Sequence, residues 1–129
     1  MELNHINLVV KDVDTAIKLF SEYLGFELIT NRNSKMAVLQ NNKTFALVIW
    51  GQVMNNDENL PEYPANFHIG FYQEDENEVS QIFEKIRTEQ YIRLDGQPKK
   101  MRNTFGFYFY FENLMIEISV NPFYTFSYS

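Results

Sequence analysis

The sequence predicts an α+β fold of paired βαβββ modules, eight strands wrapping a cleft. Three observations carry this. A strand-like run, an amphipathic helix and three further short strand-like runs occur in that order, and then occur again. The chain's only two histidines, His5 in "LNHINLVV" and His68 in "NFHIGFY", stand at matching points of the two units, each followed by isoleucine. Between the units lies "GQVMNNDENLPEYPA", a polar stretch with two prolines and no apolar period.

Residues 3–10 alternate, with His5, Asn7 and Val9 on one face and Ile6, Leu8 and Val10 on the other. Asp12 or Asp14 suits a helix N-cap. Val13, Ala16, Ile17, Phe20 and Leu24 then fall on one helical stripe, and Gly25 supplies the stop. Strands are expected at Phe26–Thr30, Met36–Gln40 and Thr44–Trp50, joined by turns at Asn31–Ser34 and Asn41–Lys43. The pattern restarts at Asn66. A strand through His68 precedes a helix with Val79, Ile82, Phe83 and Ile86 on one side, and Asp75 with Glu78 resembles a capping box. Strands follow near Tyr91–Leu94, at Gly106–Phe111 and at Leu114–Val120. This gives one domain over 1–129: module one at about 1–50, a linker at 51–65, module two at about 66–121, and an aromatic tail at 122–129.

Composition narrows the function classes. A net charge of -6 argues against nucleic acid, whose binding needs a concentrated basic face. The absence of cysteine excludes disulfides and thiolate metal sites and fits a cytoplasmic setting. No apolar run is long enough to span a membrane, and residues 1–10 read as a strand rather than a leader.

The chemistry sits on strand faces. In "LMIEISV", Met115, Glu117 and Ser119 share one face and Leu114, Ile116, Ile118 and Val120 the other. A carboxylate in an apolar strand is costly unless it is paired, hydrogen-bonded or bound to a metal. Taken singly, a strand histidine is more often a hydrogen-bonded core or surface residue, and a strand glutamate more often faces solvent. Together, His5, His68 and Glu117 make a two-histidine, one-carboxylate set, which leaves positions on a divalent ion open for substrate or water.

"LNHINLVVKDVDTAIKLFSEYLGFEL" resembles the opening of the vicinal-oxygen-chelate superfamily, which includes glyoxalase I, the bleomycin-resistance proteins, fosfomycin-resistance thiol transferases and extradiol dioxygenases. The restart at His68 and the closing "FYFYFENLMIEIS" extend the resemblance over nearly the whole chain. The resemblance implies metal ligands at His5, His68 and Glu117, with Glu117 also the catalytic carboxylate, and a divalent ion such as Fe²⁺, Mn²⁺, Zn²⁺ or Ni²⁺. At the fourth ligand position of the glyoxalase I pattern stands about Val48, which speaks against glyoxalase I activity and leaves an apolar gap for substrate. A second departure is the turn "YFENL", where many members carry Asp-Pro-Asp-Gly. The resemblance also implies a homodimer, to which the aromatic tail offers an apolar surface.

Trp50 and Phe107 are candidates for the pocket wall, and Arg102, in the basic stretch "GQPKKMRNTFG", for an anionic substrate group. Most of the aromatics around Phe107, and the basic stretch itself, are as well read as core and solvated loop. Two function classes follow. One is a metal-dependent enzyme acting on a small oxygen-bearing molecule, dioxygenase-like or transferase-like. The other is a metal-free small-molecule binding or resistance protein, with an aromatic, acidic cleft. The complete His/His/Glu set favours the first; the acidic balance and Trp50 favour the second.

Overall fold

The computed structural model of the protein describes residues 1–42, 44–56 and 58–123. The chain divides into two compact units, Met1–Glu62 and Tyr63–Ser129, and the division falls inside the polar stretch between the two repeats.

In the first unit, β1 (His5–Val10) leads into α1 (Val13–Lys18), followed by β2 (Glu27–Arg32), β3 (Met36–Asn41) and β4 (Phe45–Gly51). The sheet order is β1-β4-β3-β2, with β1 parallel to β4 and the other pairs antiparallel. Alternation in β1 is as the sequence predicts: Leu8 and Val10 are buried, while His5 and Asn7 are exposed. Asp12 caps α1, its carboxylate accepting from the Thr15 amide at 3.1 Å. The expected single α-helical stripe is altered beyond Lys18, where the helix widens into a π-helical turn over Leu19–Tyr23. The wider turn lets two consecutive residues, Leu19 and Phe20, both become fully buried, while Ile17 is only half-buried. The helix stops at Gly25, whose φ of 79° is open to glycine without strain. Phe26 then packs edge-on against Phe20, ring centroids 5.7 Å apart.

The second unit repeats the plan with β5 (His68–Gln73), α2 (Glu76–Ile86), β6 (Ile92–Met101), β7 (Thr104–Phe111) and β8 (Leu114–Val120) in the order β5-β8-β7-β6. The Asp75 carboxylate accepts from the Glu78 amide at 2.9 Å, and the Glu78 side chain accepts from the Glu74 amide at 3.1 Å. The expected box is therefore present in a variant that reaches one residue further back. Val79, Phe83 and Ile86 form the buried stripe of α2, and Phe83 meets Phe107 at 5.2 Å.

β6 is longer than the Tyr91–Leu94 strand read from the sequence. Its polar half, "DGQPKK", has the composition of a loop, yet it pairs with β7. A register shift between Asp95 and Lys99 accommodates Gly96 (φ 84°) and Pro98, and the outer place of β6 in the sheet order tolerates a proline.

After β4, still within the first unit, Gln52–Asn55 form one 3₁₀ turn. Lys43, the last residue of the turn expected at Asn41–Lys43, and residues 124–129 of the expected aromatic tail lie outside the described residues. Among the described residues, no helix is long and apolar enough to cross a membrane.

Candidate functional site

The site is built by strand register in the second unit. Glu117 on β8 stands between Tyr108 on β7 and Gly70 on β5; one step along, Ser119 stands between Gly106 and Tyr72. His68 opens β5 beside Met115. Period two sends these residues to the face away from Phe107, Phe109, Ile116 and Ile118, all of which are buried.

Glu117 is 17% exposed and well furnished with partners. The Ser119 hydroxyl donates to its Oε2 at 2.8 Å, and the Tyr108 phenol donates to the same carboxylate. Its Oε1 lies 3.6 Å from His68 Nε2. That hydrogen bond to Glu117, with burial and the Glu117 charge adding to it and Arg102 opposing, pushes the Tyr108 phenol up to about 12. The phenol therefore keeps its proton near neutrality and remains a donor.

The orientation of His68 carries the most information. Its Nδ1 is 2.8 Å from the Asn66 main-chain oxygen, which can only accept, so Nδ1 bears the hydrogen. In the neutral ring, Nε2 then presents a lone pair toward a carboxylate oxygen. Two acceptors facing each other repel unless a proton or a metal cation lies between them. Two donors about 2.0–2.2 Å from one zinc-like ion stand at most about 4.4 Å apart, so a 3.6 Å gap fits a shared ion.

A cavity of about 630 Å³ opens on this face, lined by Asn66, His68, Asp95, Met101, Arg102, Thr104, Tyr108, Met115 and Glu117. Arg102, expected to meet an anionic group, does border the same cavity as His68 and Glu117. It occupies the turn between β6 and β7 with a φ of 42°, a left-handed backbone.

In the first unit His5 is exposed, and its Nδ1 lies 2.7 Å from the Asn4 side-chain oxygen, which likewise leaves Nε2 as the free position. The two registers match place for place. Val48 stands between Asn7 and Val38 as Glu117 stands between Gly70 and Tyr108, and Trp50 stands where Ser119 does. Val48 and Trp50 thus share the His5 face of their own sheet. The Trp50 indole donates to the Asn55 side chain at 3.1 Å.

The structure brings together His68, Glu117 and Arg102. His5, Val48 and Trp50 belong to the first unit, and no group of three or more His, Cys, Asp or Glu side chains is gathered among the described residues. Phe107 does not line the cavity of the second unit. It is 1% exposed and packs beneath α2, and its neighbour Tyr108 takes the cavity place.

The sequence places Ser119 on the Glu117 face and Tyr108 among several candidate cleft-wall aromatics, but gives neither a role toward Glu117, and it does not single out the Asn66 carbonyl. The signal for Tyr108 was present in "FYFYF", where tyrosines alternate with phenylalanines and so mark the polar face. Nothing in the sequence marks a main-chain carbonyl.

Comparison with known proteins bears on the family and the fold. Residues 2–118 match the family model of the Glyoxalase/Bleomycin resistance protein/Dioxygenase superfamily. A possible glyoxalase from Bacillus cereus is 28% identical in sequence; the match covers 92% of this chain and 97% of that one, with a TM-score of 0.71. The fosfomycin resistance protein FosX from Listeria monocytogenes is 25% identical, with 94% and 93% covered and a TM-score of 0.70. A lactoylglutathione lyase from Agrobacterium tumefaciens, at 14% identity, 95% and 96% coverage and a TM-score of 0.69, shares the fold. Among curated proteins, none matches the sequence significantly. Two βαβββ units of identical strand order, with a family match running almost end to end, make this chain a member of the glyoxalase/bleomycin resistance protein/dioxygenase superfamily.

Proposed function

We propose that this protein is a metal-dependent enzyme acting on a small oxygen-bearing molecule, with His5, His68 and Glu117 as the metal ligands. The observation that carries this reading is the lone pair of His68 Nε2 turned toward Glu117 Oε1 by the Asn66 carbonyl. The matching Nδ1 anchor on His5 supports its place as the third ligand, the one from the first unit. A divalent ion such as Fe²⁺, Mn²⁺, Zn²⁺ or Ni²⁺ would supply Lewis acidity toward substrate oxygens.

The chain's own residues do the rest. Glu117 is both a ligand and the catalytic carboxylate, and Arg102 binds an anionic group of the substrate through charge-assisted hydrogen bonds. Val48, standing where a fourth ligand would be, turns the reading away from glyoxalase I chemistry and toward dioxygenase-like or transferase-like reactions. FosX, a fosfomycin resistance protein, is a relative consistent with that direction. We also take the protein to work as a homodimer in the cytoplasm, both modules of the chain acting as one domain.

A second reading is a metal-free binding or resistance protein. The half-buried Trp50 on the His5 face of the first sheet favours it, as a wall for a flat ligand. Elemental analysis of protein purified without chelators separates the two. Metal near one equivalent per chain, lost in His68→Ala, is expected. Metal-free protein whose melting temperature ignores added Mn²⁺, Fe²⁺, Ni²⁺ and Zn²⁺ overturns the enzyme reading, and Trp50 becomes the first residue to mutate.

A further inference from the structure

We propose that Tyr108 and Ser119 are positioning residues that clamp the Glu117 carboxylate and turn its Oε1 toward His68 Nε2. The inference rests on the metal-centre reading above and concerns which oxygen of Glu117 that centre uses.

The restraint comes from two strand positions next to Glu117. On the β7 flank the Tyr108 phenol, directly opposite in register, donates to the carboxylate. Along β8 itself the Ser119 hydroxyl takes up Oε2 at 2.8 Å. Ser119 is 0% exposed, so its hydroxyl has no competing water, and a buried hydroxyl holds the partner it has. On the β5 flank Glu117 meets Gly70, which brings no side chain. The Ser119 hydroxyl thus holds Oε2, the oxygen beside Gly70, and leaves Oε1 as the one that faces His68, whose ring meets the Tyr108 ring edge-on at 5.7 Å. A glutamate without such partners rotates about its last torsion, which is broad, and can offer either oxygen or both.

The first unit supplies an internal control. Where Glu117 has Val48 as its counterpart, Tyr108 has Val38 and Ser119 has Trp50. The two donors occur in the module that has the carboxylate and are replaced in the one that lacks it. A generic sheet-surface role would not couple three positions in this way.

The test uses Mn²⁺ as probe with the full chain. Binding is followed by titration calorimetry and by the electron paramagnetic resonance spectrum of the bound ion. Tyr108→Phe and Ser119→Ala are each expected to weaken Mn²⁺ binding about ten-fold, the lower end for losing an outer hydrogen-bond partner. Each is also expected to change the zero-field splitting as Glu117 shifts toward binding through two oxygens. Tyr110→Phe removes a hydroxyl from the same strand and face, beneath the Arg93 guanidinium, and is expected to leave both readouts unchanged. Tyr108→Phe removes one oxygen from a partly exposed ring, so it carries the test if Ser119→Ala fails to fold.

Wild-type affinity and spectrum in both variants would overturn the clamp alone. Weaker binding with an unchanged spectrum would also overturn it, because Glu117 would then keep its mode without the donors. A wild-type protein that takes up no Mn²⁺ would overturn the metal centre, and the clamp with it.

Discussion

At the scale of single residues, protons are what the site controls. The Asn66 carbonyl decides which nitrogen of His68 is free, and the carboxylate of Glu117 decides how long Tyr108 keeps its hydrogen. The second effect has a sign that can be worked out. The folded value of Tyr108, about 12, lies above its ordinary value of 10.0. Its contribution to stability is therefore fully present below pH 10 and is lost as pH rises toward 12. In a spectrophotometric titration of tyrosinate, Tyr108→Phe should remove a step near 12, while Tyr63, which burial and the Glu112 charge also push up, should titrate late in both proteins. A step near 12 undiminished by the substitution would assign the shift to another ring. His68→Ala should abolish metal uptake while far-ultraviolet circular dichroism stays unchanged, because His68 lies on the sheet face away from the Phe107, Phe109 and Ile116 core.

At the scale of elements, close backbone approach and caps hold the site's frame. A Cβ added at Gly106 would stand 2.3 Å from the Ile118 carbonyl oxygen and 2.7 Å from the Ser119 Cβ. Neither neighbour is a flexible side-chain end, so the strands must move. Gly106→Ala should cost about 1–3 kcal/mol in urea unfolding, the range for overpacking. It should also weaken metal uptake, since Ser119 is the residue displaced. Asp75→Ala removes the acceptor for the Glu78 amide at the start of α2 and should cost about 1 kcal/mol while leaving metal uptake intact. If both variants lose metal in proportion to lost stability, Gly106 has no specific link to the site.

At the scale of the whole molecule, the repeat is a duplication of architecture with an asymmetric chemistry. Both sheets run in the same order and both open on a histidine held at Nδ1. The carboxylate and its two donors belong to the second unit alone, against Val48, Val38 and Trp50 in the first. An ion that takes a ligand from each module should lose affinity in His5→Ala as severely as in His68→Ala. Uptake that survives His5→Ala but not His68→Ala would confine the centre to the second unit. The proposed homodimer is tested by small-angle scattering, where a mass of one 15.4 kDa chain at micromolar concentration would count against it.

The two-module plan was legible because it rests on periodicity, a local property. Alternation in "LNHINLVV" and "LMIEISV" and the stripe of α2 each follow from side chains a few positions apart. His68, Glu117 and Arg102 were legible too, as chemical residue types in conspicuous places. The π-helical turn at Leu19–Tyr23 was not, because burying Leu19 and Phe20 together is a demand of the packed sheet rather than of the helix's own sequence. The polar half of β6 was not, because its pairing with β7 comes from its neighbour and contradicts its composition. Tertiary structure alone set which ring of "FYFYF" meets Glu117, since a one-residue shift of register would exchange Tyr108 for Phe107. It alone set the tautomer of His68, because the acceptor at Nδ1 is a main-chain oxygen, a group every residue carries and no sequence can single out.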